Sequence, residues 1–340
     1  MGIKRVLSVY KWATMGGVER VLLNRAHAIQ EADLNIQYDV FFFHDSGGKE
    51  KFREYITNNG LDSIVNVVEV INQDYDVIFS IDTPEILDIV DASKTFIECH
   101  TSYEKNRTYL KTLPSNIRGI LVPSEHFKQS IISEVNLDLK SKVRVLSNNV
   151  YTQSNSTQHS KIYMKTPILY VGRIDRLKNV EDILKIFVQY NEIHGDQLIL
   201  ILAGNVIEHE IDLETLLMKY GIQDRTIYLP PLNFDKVWDL LKFVKSQRGV
   251  FMSASLHESF GLSVAEAMAF EIPVLLFNNV AHSNLVKHND EFLFDRNSKE
   301  KTVGKLFNII ENYEVSSGIV EKYSLMLQDE FMIEFKKIIS

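Results

Sequence analysis

Short apolar runs along the chain alternate with longer stretches in which apolar residues recur every three or four positions. An apolar run bounded by Gly, Pro, Asn or Ser predicts a buried strand, and the three-to-four spacing predicts an amphipathic helix. In the first half of the chain, the predicted strands cover residues 5–10, 38–43, 77–81, 95–99, 117–122 and 142–146. Because these strands alternate with helices, the expected fold class is α/β, with parallel, doubly wound sheets.

A polar stretch near the middle of the chain marks a domain boundary. Residues 148–158 are rich in Asn, Ser, Thr and Gln and have no apolar period, which is typical of a linker. The order of strand, glycine and helix then starts again, with a strand at 168–171, Gly172 and a helix from Val180. We therefore expect one domain over residues 1–150 and a second over 151–320, followed by an amphipathic segment at 321–340.

Composition narrows the classes of function. With 340 residues, the chain is long enough for two domains, each with its own core. The formal net charge of -8 argues against a general nucleic-acid binder, which usually has a basic excess. Cys99 is the only cysteine, so no disulfide can form within the chain, as fits a reducing cytosol. No apolar run approaches the roughly 20 residues that span a bilayer. The first residues predict a strand rather than a signal peptide, so we expect a cytoplasmic protein.

Two glutamates lie close together in a loop and helix of the second half. The apolar run 249–254 predicts a strand, Gly261 marks the end of the following loop, and a helical period starts at Leu262. Glu258 lies in the loop and Glu266 on the helix, with seven residues between them. A lone Glu on a helix is most often solvated, but the residues beside Glu266 are apolar or small. The segment resembles the E-x7-E motif of retaining GT-B glycosyltransferases of the family-4 group.

A basic loop precedes that motif in the chain. Arg173 and Lys178 lie between the strand that ends before Gly172 and the helix that starts at Val180. At the carboxyl end of a strand, Arg can bind a phosphate with two parallel hydrogen bonds and Lys can act as a point charge. Either side chain alone is more often a solvated cation. The spacing G-R-x4-K resembles the donor-diphosphate motif of the same family.

The first half carries two weaker candidates. Gly16 and Gly17 separate the first predicted strand from a helix, which would let the backbone approach a phosphate, although paired glycines are equally common in ordinary turns. His100 follows the strand 95–99 at its carboxyl end, where ligand sites collect. Cys99 is not expected to act with His100 as a nucleophile, because adjacent residues of a strand point to opposite faces. In the resembled family, a His in the corresponding loop lies against the donor sugar.

The resemblance covers most of the chain and implies a GT-B fold. In that fold, two Rossmann-like domains face each other across a cleft, and a C-terminal helix, here 321–340, crosses back to the first domain. The implied activity is that of a retaining, metal-independent hexosyltransferase. It would move a sugar from a nucleotide diphosphate sugar, expected to be a UDP-sugar, to a hydroxyl of a glycan, glycolipid or glycoprotein, as in bacterial cell-surface glycan synthesis. No cofactor other than this co-substrate is expected.

The resemblance also implies a role for each candidate. Arg173 and Lys178 would neutralise the charge that grows on the leaving diphosphate. Glu258 would contact the sugar near its 3-hydroxyl, Glu266 the ribose hydroxyls, and His100 the sugar from the first domain. The remaining donor contacts would come from Gly16, Gly17, Gly204, Pro231, Phe260, Gly261, Leu262 and Ser263. No carboxylate is placed as a covalent nucleophile, so the expected mechanism is front-face substitution, in which the leaving phosphate helps to deprotonate the acceptor.

The chain departs from the family pattern at three places. Asn205 stands where an acidic residue is frequent, and Pro230-Pro231 where the family usually has a glycine in the turn that contacts the base. The loop 278–284 has neither the Gly-Gly pair nor the Glu of many relatives. The identity of the base and the shape of the sugar pocket are therefore left open.

Two other functions share this fold. A non-hydrolysing sugar-nucleotide epimerase would need no acceptor, but its family lacks the paired motifs. A non-catalytic partner subunit would bind a glycan or stabilise a second transferase, and such subunits tend to lose the cations and the Glu pair. The first domain also has a loosely basic stretch that contains Lys105, Arg107, Lys111 and Arg118. These side chains would suit contact with an anionic membrane or with a lipid-linked acceptor. They are equally explained as a solvated surface, which is the interpretation we favour.

Overall fold

The computed structural model describes residues 2–71, 74–152, 164–296 and 299–340. The chain forms two compact units, one made of Met1–Tyr151 with Leu327–Ser340 and the other of Thr152–Met326. Most of the predicted linker, 153–158, lies outside the described residues. Its first residues, Asn148 to Val150, are buried in the first unit rather than solvated. A long-range contact holds them there, because the Asn149 side chain donates a hydrogen bond to the backbone oxygen of Asn24, on the helix Gly17–Glu31, at 3.0 Å.

Within its described residues, the first unit has a sheet of seven parallel strands in the order β3-β2-β1-β4-β5-β6-β7. The strands are β1 Lys4–Ala13, β2 Ile36–Asp45, β3 Val65–Val68, β4 Val77–Ile81, β5 Thr95–Glu98, β6 Gly119–Val122 and β7 Val143–Val145. The helices are α1 Gly17–Glu31, α2 Lys49–Asn58 and α3 Glu125–Ile131.

The second unit repeats this plan. Within its described residues, six parallel strands follow the order β10-β9-β8-β11-β12-β13. The strands are β8 Thr166–Val171, β9 Leu198–Ala203, β10 Thr226–Leu229, β11 Val250–Ser253, β12 Val274–Phe277 and β13 Leu293–Phe294. The helices that follow are α4 Val180–His194, α5 Leu213–Tyr220, α6 Phe234–Ser246, α7 Leu262–Ala269, α8 Val280–Leu285, α9 Lys299–Glu311 and α10 Tyr313–Ile339.

Both sheets confirm the predicted α/β class and the Rossmann-like, doubly wound topology. In each unit the first strand lies inside the sheet, and the chain adds strands on one side of it before it crosses to the other. Helices on both faces explain why β4 and β11 are continuous buried runs without a polar face.

Four elements differ from the predicted pattern. The strands β3 and β13 have no counterpart among the predicted strands, because β3 contains the exposed Asn66 and a single buried residue, and β13 has only two residues. The strand β1 continues to Ala13, three residues past its predicted end, because Trp12 and Ala13 pair with His44 and Asp45 of β2. The last helix starts at Tyr313 rather than at 321.

The C-terminal part of α10 belongs to the core of the first unit. Phe331 and Phe335 are buried, and the Phe335 ring stacks on that of Phe79 at 6.0 Å. Arg118 donates a hydrogen bond to the backbone oxygen of Ile338 at 3.1 Å. Of the helices that the structure describes, none combines the length and apolar character needed to cross a bilayer.

Candidate functional site

The predicted donor motifs meet at one edge of the second sheet. The basic loop, residues 172–179, follows β8, and the loop 254–261 follows β11, which is the neighbour of β8 in the sheet. The strand order reverses between these two strands, and open α/β sheets bind ligands in the crevice at such a point. The two loops are hydrogen-bonded to each other, from the Leu256 backbone N–H to the Leu177 oxygen at 2.9 Å.

Lys178 and Glu258 form an ion pair across this crevice. The Lys178 ammonium donates to the Glu258 carboxylate, and their side chains are 18% and 14% exposed. Burial by itself raises the pKa of Glu258, but attraction to Lys178 and His282 and hydrogen bonds from Lys178 and Ser255 lower it below its ordinary value. Glu258 is therefore ionised near neutral pH, and the pair carries no net charge.

Asp175 organises the basic loop, a role that the sequence analysis missed. Its carboxylate is buried and accepts the backbone N–H of Lys178 at 2.8 Å, and it lies 3.3 Å from the Arg173 guanidinium. Asn179 then takes a left-handed conformation, with φ of 50°, just before α4 begins. Asp175 thus holds the Arg173 guanidinium and the backbone of Lys178 in one loop. The position of Asp175 between the two cations was the available signal.

Gly172 and Gly204 bring the ends of β8 and β9 closer than any other residue would allow. A Cβ atom on Gly204 would lie 1.9 Å from the backbone oxygen of Gly172, and φ of Gly204 is 141°. Only glycine, which has no Cβ atom, allows two backbones to come this close. Gly204 is thus needed for the shape of the crevice, whether or not it contacts a ligand. Pro231 is exposed after the edge strand β10.

The helix α7 begins where the sequence predicted. Gly261 caps it with φ of 93°, and Leu262 and Ser263, half-buried, form its first turn. Phe260 is buried just before the cap. Glu266, one turn into the helix, is only 2% exposed, so the solvated-face interpretation of this carboxylate is wrong.

His282 is a second residue that the sequence analysis did not assign. It lies on α8, is fully buried, and its Nδ1 is 2.8 Å from the backbone oxygen of Phe277. Burial lowers its pKa, while the nearby Glu258 raises it. Its ring edge packs 3.6 Å from the position that a Cβ on Gly261 would occupy. The loop 278–284, which departs from the family pattern, was the only sequence signal for it.

In the first unit, the Gly16-Gly17 loop is occupied by a side chain of its own helix. The Glu19 carboxylate accepts the backbone N–H groups of Met15 at 2.8 Å and Gly16 at 3.0 Å, and also that of Thr14. The phosphate-approach interpretation fails for these three amides, because an anionic partner already holds them. Gly16 is the N-cap of α1 and Gly17 its first residue.

His100 lies directly after β5, held from two sides. Its backbone N–H faces both oxygens of Asp82, each at 3.2 Å, and its Nε2 is 3.1 Å from Glu98. Cys99 lies in the buried apolar cluster of this unit, and burial raises the pKa of its thiol. The expectation that Cys99 and His100 do not act as a nucleophile and base agrees with this arrangement.

The loosely basic stretch is partly engaged in structure. Arg107 makes a two-point ion pair with Glu134, at 2.8 and 2.7 Å. Arg118 lies over the Phe96 ring and donates to the C-terminal helix. Lys105 and Lys111 are exposed. These contacts favour the structural and solvated interpretation over a binding patch.

A family model confirms what the geometry of the second unit indicates. The model for glycosyl transferases group 1 matches residues 152–323, half of the chain. That region contains Arg173, Lys178, Glu258 and Glu266. The chain belongs to the group 1 glycosyl transferases.

A curated relative of this glycosyl transferase is a sucrose synthase of Melioribacter roseus, 24% identical over 172 residues. The match covers 47% of the chain and 22% of the relative, so the chain spans about a fifth of that protein's length.

Solved structures share the fold along almost the whole chain. One of them is S. aureus TarM in complex with UDP, fondaparinux and α-GlcNAc-glycerol. The two structures superpose with a TM-score of 0.73 at 10% sequence identity, and the match covers 99% of this chain and 100% of the TarM chain. Anabaena HepE, in complex with UDP-glucose, gives a TM-score of 0.71 at 15% identity, with 98% of each chain covered. With these neighbours, the two Rossmann-like units confirm the GT-B fold of the glycosyl transferase.

Proposed function

We propose that this glycosyl transferase moves a hexose, with retention of configuration, from a UDP-sugar to a hydroxyl. The observation that carries the proposal is the Lys178–Glu258 pair with Arg173 at the strand-order reversal of the second sheet. A diphosphate needs cations, and a sugar that gains positive charge needs a carboxylate beside it. UDP and UDP-glucose in the complexes of the structural neighbours support the choice of donor.

The ion pair has a direct part in the proposed reaction. The bond between the anomeric carbon and the phosphate oxygen breaks, and negative charge grows on the diphosphate. Arg173 holds that charge through paired hydrogen bonds and Lys178 through its compact ammonium. As Lys178 turns to the phosphate, Glu258 keeps its negative charge near the 3-hydroxyl of the sugar, where it stabilises the positive charge that grows on the ring. The acceptor oxygen bonds to the same face of that carbon, and its proton passes to the leaving phosphate.

The proposed roles of the other residues follow from their places. Glu266 holds the ribose hydroxyls, because its carboxylate lies on α7, one turn beyond the loop that carries Glu258. Phe260 to Ser263 and Gly204 shape the crevice around the donor. His100 binds a hydroxyl of the substrates. The two cations stand in for a divalent metal, so the proposed reaction is metal-independent. The proposed acceptor is a glycan, glycolipid or glycoprotein of a bacterial cell surface, in line with the sequence resemblance.

Nucleotide sugars that fit the site are expected to stabilise the protein against heat. A ligand at 100 times its dissociation constant adds about 2.7 kcal/mol to the free energy of unfolding. The measurement is a thermal melt with UDP-glucose, UDP-galactose, UDP-N-acetylglucosamine and GDP-mannose, each with excess EDTA. We expect one UDP-sugar to raise the melting temperature by several degrees in the native protein and less in Lys178→Ala. If no nucleotide sugar changed the melting temperature, the proposed donor class would be wrong.

A further inference from the structure

A buried ion pair connects α1 to the strand that precedes His100. Arg25, on α1, meets Glu98, the last residue of β5, through two hydrogen bonds of 2.9 and 3.0 Å. Their side chains are 2% and 1% exposed. Buried ion pairs contribute little stability compared with apolar residues of the same size. We therefore expect this ion pair to have a role other than stabilising the fold.

That reason lies in a third contact of Glu98. The carboxylate oxygen that faces Arg25 Nη2 is also 3.1 Å from Nε2 of His100. Burial alone would raise the pKa of Glu98, but attraction to Arg25 and a hydrogen bond from His100 lower it to about 2. Glu98 is thus ionised and can only accept hydrogen bonds. Nε2 of His100 must therefore carry a hydrogen.

The other ring nitrogen is left with its lone pair. In a neutral imidazole, a hydrogen on Nε2 leaves Nδ1 as an acceptor. Among the residues that the structure describes, none forms a hydrogen bond with Nδ1 of His100. This nitrogen is also not fully buried, so a ligand can reach it. The backbone of His100 is fixed as well, since its N–H faces Asp82, which also accepts the Tyr109 hydroxyl at 2.7 Å.

We propose that Glu98 is a positioning residue that locks His100 in the Nε2–H form, so that Nδ1 accepts a hydrogen bond from a hydroxyl of a sugar substrate. Arg25 keeps Glu98 ionised, which means that Glu98 orients the ring and does not take its proton. The substrate part of this inference rests on the proposed function; the form of the ring does not. Because Nδ1 would accept a hydrogen bond from a substrate hydroxyl, a substrate without a hydroxyl at that position would be rejected.

The form of the ring can be measured directly in the full-length protein. Two-bond nitrogen–proton NMR of ¹⁵N-histidine-labelled protein, at a pH where the ring is neutral, distinguishes protonated from bare ring nitrogens. His100→Gln assigns the signal. We expect Nε2–H for His100. A hydrogen on Nδ1 of His100 would overturn the proposal, whether or not the protein transfers sugar.

A charge-balanced variant tests the functional part. Glu98→Gln alone leaves Arg25 buried without a counter-charge, so the double variant Arg25→Met/Glu98→Gln is used beside it. The Gln amide can donate as well as accept, and the ring is expected to become a mixture of forms. In metal sites, loss of the group that orients a ligating His typically costs about 10- to 100-fold, and we expect a loss of the same order here.

For the double variant we expect a fall of that size in kcat, with the affinity for UDP alone changed less than twofold. A purely structural role would lower both through partial unfolding, or neither. Normal kcat in a folded variant with a mixed ring would overturn the positioning role. Absence of transfer by the native protein would instead overturn the proposed function and leave the NMR result standing.

Discussion

Replacing Lys178 with Ala is expected to lower kcat by about 100- to 1000-fold without unfolding the protein, which corresponds to roughly 2.7–4 kcal/mol of transition-state stabilisation. The ammonium faces the charge that develops on the leaving diphosphate, so its loss affects the transition state more than the ground state. Its side chain is 18% exposed, so its removal opens no cavity in the core, but it leaves the Glu258 carboxylate without its partner, which is why a folding check accompanies the kinetics. For Arg173→Ala we expect a loss of kcat in the same range. Steady-state kinetics with circular dichroism as a folding check gives the measurement.

Lys219→Ala is the matched control for Lys178→Ala. Lys219 lies in the same unit and also pairs with a glutamate, Glu181, at 2.8 Å, but its side chain is 58% exposed. Exposed pairs of this kind contribute little, so we expect kcat to change less than twofold. Near-normal transfer by folded Lys178→Ala would mean that the diphosphate binds elsewhere.

Glu258→Gln and Glu266→Gln are expected to change different kinetic constants of the transfer reaction. Glu258 lies in the loop and contacts the transferring sugar in the proposed reaction, so its loss should lower kcat, by about 100-fold for an electrostatic group of this kind. Glu266 lies on α7 and would bind the ribose, which does not react. Hydrogen bonds to a charged group are worth about 1.5–3 kcal/mol. Because such contacts bind ground state and transition state alike, Glu266→Gln should raise the donor KM by about 10- to 100-fold with little change in kcat.

Donor-saturation kinetics on the two variants, with folding checked by circular dichroism, separates these outcomes. The substitutions keep the size of each side chain, which matters most for Glu266 because it is 2% exposed. A loss of kcat in Glu266→Gln together with a loss of donor affinity in Glu258→Gln would reverse the two roles. Two variants with native kinetics would contradict the E-x7-E interpretation and favour a non-catalytic partner subunit.

The sequence predicted the elements and the loops of the second unit well, because local signals define them. Gly261 and the apolar period from Leu262 are enough to place the start of α7, and the apolar run 249–254 places β11 before it. The contact between Lys178 and Glu258 joins residues 80 positions apart, and only the order of β8 and β11 in the sheet brings them together.

The first unit shows why the rest was not predicted. Paired glycines before a helix favour a phosphate loop, but Glu19 reaches back from inside the helix to the loop amides. Glu19 is the third residue of the helix, the position from which a Glu side chain caps the amide at the helix start, so a local signal for this role was present. Arg25 and Glu98 are 73 residues apart, and each alone looks like an exposed charge. Their burial depends on how α1 packs on β5, which a single sequence does not reveal.

The central claim is a retaining transfer in which two cations replace a metal. NMR of the first-formed product, with an α-linked UDP-sugar as donor and excess EDTA present, tests it most directly. We predict an α-linked product and a rate that EDTA does not change. A β-linked product, or a rate abolished by EDTA and restored by magnesium or manganese, would contradict the account.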